Sequence, residues 1–522
     1  MKNIVLVSTV IMLLSVQLTA QTRPVSYKLG YKTAAAGEDN PAGTSISNIL
    51  VIGDTIWVAS GAGLSRSTDR GASWTNYYGS ETFGTQDIVA LAYGGGRLWV
   101  STAYTQNING SDIQTGGGLK YSSDNGNTWT SIPQPVDQPQ DSVIMYGNNR
   151  IRALPVTVPQ QNLSWDIAVV NDIVYIASWA GGVRRSRDLG KTWERVVLPP
   201  DNLNAIKPSD TLKFALQPVA GKFGPDENLN HMGFSLAVDD SNNIYAGTAG
   251  GINKSTDGGI SWRKFKFGNQ KNSISGNFVV ALGFNENDRS LWAATWLARG
   301  SEEFNAVSFS YDHGENWNIV LQDEKAHNFG FIGNSVIAAC DNGAFKSTDG
   351  GQSWALPYNI TDSRTMLPLN TSLFYSAASL GNILFLGSNN GLVSFIKQQE
   401  PWTGDWKIYF SSAKLTSADD SYAYPNPFTP GVESVKIKYG TGGKQQKVTI
   451  RIFDFGMNLV KTVIQNADRG YPLHATGKSE NAAADYWDGK DEFGSYVPNG
   501  VYFYRIDLDS GDPLYGKIIV LK

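Results

Sequence analysis

One cysteine, Cys340, stands among 522 residues, so no disulfide can form within the chain. It ends the apolar run Val336-Ile337-Ala338-Ala339-Cys340, where a thiol is expected to pack as a small hydrophobe in a strand. Histidine is nearly as scarce, and His231, His313, His327 and His474 show no metal-ligand spacing. Neither a Gly-x-Ser-x-Gly elbow nor a phosphate-binding glycine loop occurs. No catalytic residue, metal or cofactor is therefore expected. An excess of one charge is also missing. The 43 basic and 47 acidic residues give a net charge of −4, and the basic ones are scattered, so nucleic acid is not an expected partner. Past the N-terminus no run approaches ~20 apolar residues, and no transmembrane segment is expected.

What the chain has is glycine, 55 residues of it, and 15 tryptophans. Gly-rich turns among many aromatics point to short strands and tight loops. One pattern, Ser-x-Asp-x-Gly-x-x-Trp, organises them. Its six copies are centred on Asp69, Asp124, Asp188, Asp257, Asp312 and Asp349, and their tryptophans are Trp74, Trp129, Trp193, Trp262, Trp317 and Trp354. Self-similarity of this kind outranks local propensity as a guide to fold. Around Asp188 the chain reads Asp166 to Asn171, Ile173 to Ser178, Gly182 to Ser186, then Trp193 to Val197: four strands with turns between. A seventh unit without a box shows Ile383 to Gly387, Gly391 to Phe395 and an outer strand Trp406 to Phe410. Four-stranded blades set in a ring remove most free edges, so the fold class expected is all-β, a seven-bladed β-propeller. Pro24 to Tyr31 is expected to add a strand to the last blade. In each box the Asp accepts backbone N–H groups, the Gly allows positive φ and the Trp buries its ring, which is a structural job.

The motif resembles the Asp-box, or BNR, repeat of sialidases, sortilin-type receptors, several glycoside hydrolases and photosystem assembly factors. The resemblance covers about residues 45–410. It implies the propeller and leaves function open, because those families do unrelated things on one scaffold. Sialidases pair their boxes with an Arg-Ile-Pro motif and three arginines. Here Arg150-Ile151-Arg152-Ala153 is not that motif, and Arg150, Arg152 and Arg299 are the arginines left for such a role.

The ends of the chain read differently. Lys2, the apolar run Ile4 to Val16 and Leu18-Thr19-Ala20 form a signal peptide over residues 1–20, with Gln21 as the mature start. The propeller is assigned to 21–410 and a polar linker to 411–421. Residues 422–522 carry alternating strands expected to form a small Ig-like β-sandwich. Tyr424-Pro425-Asn426-Pro427-Phe428, Gly500 to Tyr504 and the last strand Lys517 to Lys522 are similar to C-terminal sorting domains of the type IX secretion system. They are also similar to the Ig-like domain of flagellar hook-assembly proteins, and Trp487-Asp488-Gly489-Lys490-Asp491 favours that variant. The resemblance implies secretion, or attachment to the outer surface of a Gram-negative bacterium, through that machinery. Asp488, Asp491 and Glu492 read as a solvated turn.

Long insertions mark where function is expected. They are Tyr104 to Gly118, Gln134 to Gln161, Pro199 to Asn230 and Trp296 to Ala306, and the strand assignment puts all of them on one face. Tyr104, Trp179, Trp296 and Arg299 are the ligand-binding residues expected there. The function expected is non-catalytic binding of a protein or glycan partner. The alternative is a glycoside hydrolase of sialidase-like or related propeller type, which needs facing carboxylates about 5–9.5 Å apart.

Overall fold

Short β-branched runs closed by glycine turns have neither the length nor the period for helices. The computed structural model describes residues 40–216, 228–297, 302–363, 367–411, 415, 419–470, 482–509 and 511–522. Its described regular structure is strand throughout, apart from one 3-10 turn at Leu229–His231. The export segment, the strand expected at Pro24 to Tyr31, and Arg299 lie outside the described residues.

Among the described residues, seven successive sheets are antiparallel meanders. Their inner strands are Ile46–Ile52, Asp87–Gly94, Ser164–Val170, Gly233–Val238, Phe278–Asn285, Ala326–Ile332 and Phe374–Leu380. Each packs beside the next, and the last packs back against the first. The arrangement is a β-propeller. The boxes lie between third and outer strands, as in Gly182–Ser186 and Glu194–Arg195 of the third sheet. In the sixth sheet the outer strand shrinks to a single bridge between Lys346 and Ala355. Pro357 follows, with no N–H to extend the ladder.

Two features recur around the ring. First, every inner strand carries a bulge near its start, where the register skips Ser47, Val89, Trp165, Phe234, Val280, His327 and Tyr375. All seven are buried, none more than 7% exposed. A bulge breaks the strict alternation of faces and re-aims a side chain. Inner-strand side chains from the second sheet to the sixth meet in one apolar cluster that holds Val89, Trp165, Phe234, Val280 and Phe329. Second, each box glycine has positive φ and is pressed against the preceding sheet. A Cβ on Gly126 would run into Trp57 and Tyr77, one on Gly190 into Ile132, and one on Gly314 into Phe265. Gly351 faces Trp292 and Phe309 in the same way. Gly71 of the first sheet meets Tyr409 and Phe385 of the seventh, so the same contact closes the ring.

The two longest insertions do not crowd one face. Val143–Tyr146 and Asn149–Ala153 form a hairpin, and its second strand pairs in parallel with Ala215–Leu216 from the next insertion. Ala205–Ile206 adds to the outer edge of the fourth sheet. The Tyr146 hydroxyl donates to Ile260 O, 2.7 Å, inside the fourth box. Boxes sit at the opposite end of the ring from the second-to-third turns, so this hairpin crosses the outer edge and corrects the one-face expectation. The cause is apolar. Tyr146, Ile151, Ile206 and Leu216 pack with Val196, Leu198 and Trp262 in one cluster between the third and fourth sheets.

Toward the C-terminus two sheets share a core. One is built from Ser421–Tyr424, Val435–Gly440 and Ala482–Trp487. The other orders Leu459–Arg469, Gln446–Phe453, Gly500–Leu508 and Leu514–Val520. Ile437, Tyr439, Ile450, Trp487, Tyr504 and Ile518 fill the space between them. Buried Asp485 accepts from Arg469 Nε, 3.0 Å, and from the Tyr439 hydroxyl, 2.7 Å. Asp491 caps its own turn by accepting backbone N–H groups of Phe493 and Ser495, and Glu492 accepts that of Thr462 in the strand Leu459–Arg469.

The glycine contacts predict a stability contrast. Gly126→Ala adds both left-handed strain and overlap with Trp57, and is expected to cost about 2–4 kcal/mol. Gly53 also has positive φ but nothing within 4 Å, so Gly53→Ala is expected to cost about 1 kcal/mol. Denaturant unfolding of both variants checks the difference.

Candidate functional site

The box carboxylates are consumed by their own turns. Asp188 Oδ1 accepts from Ser186 Oγ at 2.8 Å and Thr192 N at 2.9 Å, and Oδ2 accepts from Thr192 Oγ1 at 2.6 Å. Gly190 N in turn donates to Ser186 Oγ, 2.8 Å. Asp69, Asp124, Asp257, Asp312 and Asp349 repeat the scheme. For Asp124, Asp188 and Asp349 the hydroxyl and then the N–H four residues on, with the box serine after them, hold the carboxyl at about 2. A carboxylate so bound has little capacity left for a ligand.

The four residues expected to bind a ligand meet different fates. Tyr104 is 38% exposed. It stands where Arg97–Ile108 and Ser111–Ser122 run on past their neighbours as a projecting two-stranded ribbon. That ribbon is braced by Gly116 N donating to Pro159 O, 2.9 Å, and by Gln160 Nε2 to Gln106 Oε1, 3.0 Å. Trp179, in the second-to-third turn of the third sheet, is half-buried and edge-on to Phe234 at 6.0 Å. Trp296 is a core residue, and its expected role is corrected: it is 1% exposed, lies parallel to Phe278 and donates its indole N–H to Ala326 O, 3.0 Å. An aromatic beside a loop start reads the same in sequence whether it packs under the loop or faces outward. Arg150 and Arg152 project from an exposed face of the rim hairpin.

Contacts between neighbouring sheets bring Trp296 together with residues to which the sequence assigns no site role. Trp296 contacts His327 edge-on at 5.6 Å, and His327 contacts Tyr375 at 5.3 Å. His327 Nε2 pairs with Asp341 Oδ1 at 2.6 Å, and this bond lowers the Asp341 pKa. Asp166 Oδ2 accepts from Leu236 N, 2.8 Å, and so ties the third inner strand to the fourth. A sequence signal for the bulge residues exists. Ser47, Trp165, Phe234 and His327 each stand twenty or twenty-one residues ahead of a box serine.

A buried polar cluster anchors the insertions. Asp137 pairs with Arg184 at 2.7 Å and also with Arg195. Burial pushes the Asp137 carboxyl up, but the Arg184 bond and charge, the Val156 N–H and Arg195 outweigh it, and the pKa is lowered. Asn230 donates to Pro199 O and Asn253 Oδ1, and accepts from Thr248 Oγ1. His231 is buried beside it, with Nε2 2.8 Å from Asn228 Nδ2. The amide donates, so Nε2 is the bare nitrogen and the ring is neutral. Burial first, then the charges of Arg195 and Lys264, hold the His231 pKa down at about 3.

No family model matches the chain, and no curated protein matches it. Solved structures do. The GH74 xyloglucanase from Xanthomonas campestris is similar at 13% identity and TM-score 0.50, over 78% of this chain and 59% of that one. This chain thus spans under two thirds of that enzyme. YCF48 from Cyanidioschyzon merolae is similar at 15% identity and TM-score 0.43, over 70% of this chain and 100% of that one. PorZ, an essential surface component of the type-IX secretion system of Porphyromonas gingivalis, gives 14% identity and TM-score 0.34. That match covers 92% of this chain and 66% of PorZ. At these identities the likeness is one of fold, a β-propeller.

The His231 site predicts a pH dependence. The unfolded imidazole takes a proton below about pH 6.5, whereas the folded one resists until about 3. Its contribution is therefore complete above pH 6.5 and is lost as pH falls through that window. Between about pH 6 and 5, wild-type stability is expected to fall more steeply than that of His231→Gln, by up to about 1.4 kcal/mol per pH unit. Equal slopes in urea titrations would contradict this.

Proposed function

We propose that this chain is an exported binding protein that holds a protein or glycan partner without transforming it. In this reading the seven sheets are the blades of one propeller, and the shared-core sheets of residues 422–522 are an Ig-like domain for secretion or surface attachment. The observation that carries the reading is the buried packing of the inner strands. The bulge residues of all seven inner strands are buried, and His327 touches both Trp296 and Tyr375. Glycoside hydrolysis needs an open cleft with two carboxylates facing a sugar. Here Asp166 is spent on a backbone N–H and Asp341 on His327.

The binding surface assigned by this reading is the ribbon face. Tyr104 offers an exposed phenol at the root of the ribbon, and Trp179 a half-buried indole on the neighbouring sheet. Aromatic faces of this kind stack on sugars or peptide side chains while the scaffold stays rigid. Export is supported by Lys2 and the apolar run Ile4 to Val16 ahead of Ala20.

A glycan array and a pull-down from surface extracts, both with the mature chain, give the test. Tyr104→Ala is expected to weaken capture by roughly 5–30-fold with the melting temperature nearly unchanged. Trp179→Ala should weaken it similarly and also lower the melting temperature, because the indole packs on Phe234. Release of reducing ends from xyloglucan or a related glucan by the purified chain would overturn the non-catalytic reading.

A further inference from the structure

The outer edge of the third sheet holds a cleft of about 490 Å³ that the reading above does not use. On one side runs the hairpin strand Val143–Tyr146, and on the other the outer strand Glu194–Arg195 continuing to Val197. Both are edge strands: the hairpin sheet is ordered with Val143–Tyr146 outermost, and Glu194–Arg195 ends the third sheet.

The pairing registers say which way the main chain points. Opposed residues in an antiparallel pair alternate between exchanging both hydrogen bonds and exchanging none. Val196 N donates to Val183 O, so the flanking Arg195 and Val197 turn their N–H and C=O groups away from the third sheet. On the hairpin, Ala153 N donates to Ser142 O, and Tyr146 pairs with Asn149 across the turn. Val143 and Met145 therefore turn their main-chain groups away from Asn149–Ala153. All four of these residues line the cleft. Among the described residues, two rows of donors and acceptors without a main-chain partner thus face one space from opposite sides. Exposed strand edges are ready templates for another extended chain.

We propose that this cleft receives an extended peptide segment of a partner protein, which adds as a strand between Val143–Tyr146 and Glu194–Val197 and joins the two sheets into one. Side chains fix the preference. Met145 is 61% exposed, Val143 41% and Ile260, on the cleft wall, 47%. The floor is polar, with Asp137 bonded to Arg184 and Arg195. A strand lying there turns alternate residues outward beside Val143, Met145 and Ile260 and the others toward the ion pairs. The segment should alternate apolar with small polar residues. This is recognition by strand addition, in which main-chain bonds supply affinity and alternate side chains supply choice. It concerns the rim and stands or falls apart from the ribbon face.

The test uses the mature chain and fluorescent peptides of about eight residues in which Val alternates with Ser, Ile with Thr, or Leu with Asn. The expected result is saturable binding by at least one of them, with new amide-exchange protection at Met145 and Arg195. Met145→Pro removes an outward N–H and leaves the hairpin bonds in place, and should weaken that binding about tenfold. Met145→Lys, at a solvent-exposed position, guards against misfolding of the proline variant and should weaken it too. A peptide methylated at alternate backbone nitrogens should fail to bind. The proposal is overturned if no peptide of the panel protects these amides, or if binding survives Met145→Pro unchanged. Protection already present in the free chain would likewise overturn it, since the edge would then be filled by the protein itself.

Discussion

Everything in the ring depends on how closely one sheet can approach the next at its box. Serine and aspartate bind the turn from within, but the glycine does the fastening. Its missing Cβ lets the turn backbone lie against an aromatic or isoleucine of the preceding sheet. Polar side chains then reach across the same seam. The Tyr77 hydroxyl donates to Gly126 O at 3.0 Å, the Tyr175 hydroxyl to Gly258 O at 2.8 Å, and Lys254 Nζ to His313 O at 3.1 Å. The box is thus a local turn and a joint between sheets at once. A residue with a Cβ fails at both tasks, since it strains the left-handed backbone and pushes the sheets apart.

A ring held this way is stiff, and stiffness decides where variation is tolerated. The connections that leave the outer strands have grown, and the largest two have been drawn over the edge by apolar burial between the third and fourth sheets. Buried polar groups fix their path. Asp201 accepts from Leu229 N and Asn230 N, and Lys264 Nζ donates to Pro200 O at 2.7 Å. Each such bond satisfies a group that would be costly to bury alone. The result is an edge with a shape of its own, beside inner strands that pack against one another.

The sequence makes some of this legible. Box spacing reports the repeat directly, because turn chemistry demands particular residues at particular offsets. The unboxed seventh unit is readable from Ile383–Ser388 and Gly391–Gln399, whose short apolar runs set off by glycine match the second and third strands of the other sheets. The bulges are not readable by residue type, since Ser47, Trp165 and His327 are set by the space available to each. Trp296 reads as a surface aromatic because burial is decided by Phe278 and His327, which arrive from other strands. The path of residues 134–161 was equally hidden. Its hairpin pairs with Ala215–Leu216, more than sixty residues on, and no local pattern encodes a partner at that distance.

Closure between the first and seventh sheets is the claim on which the ring stands, and a double-mutant cycle at Gly71 and Tyr409 measures it. These residues lie 338 positions apart, and the space a Cβ would take at Gly71 is held by the Tyr409 hydroxyl. Unfolding free energies of Gly71→Ala, Tyr409→Phe and the pair should be non-additive, with Tyr409→Phe relieving part of the alanine penalty and a coupling of about 1 kcal/mol. Strict additivity would mean that the two side chains never meet, and the ring would not close through this contact.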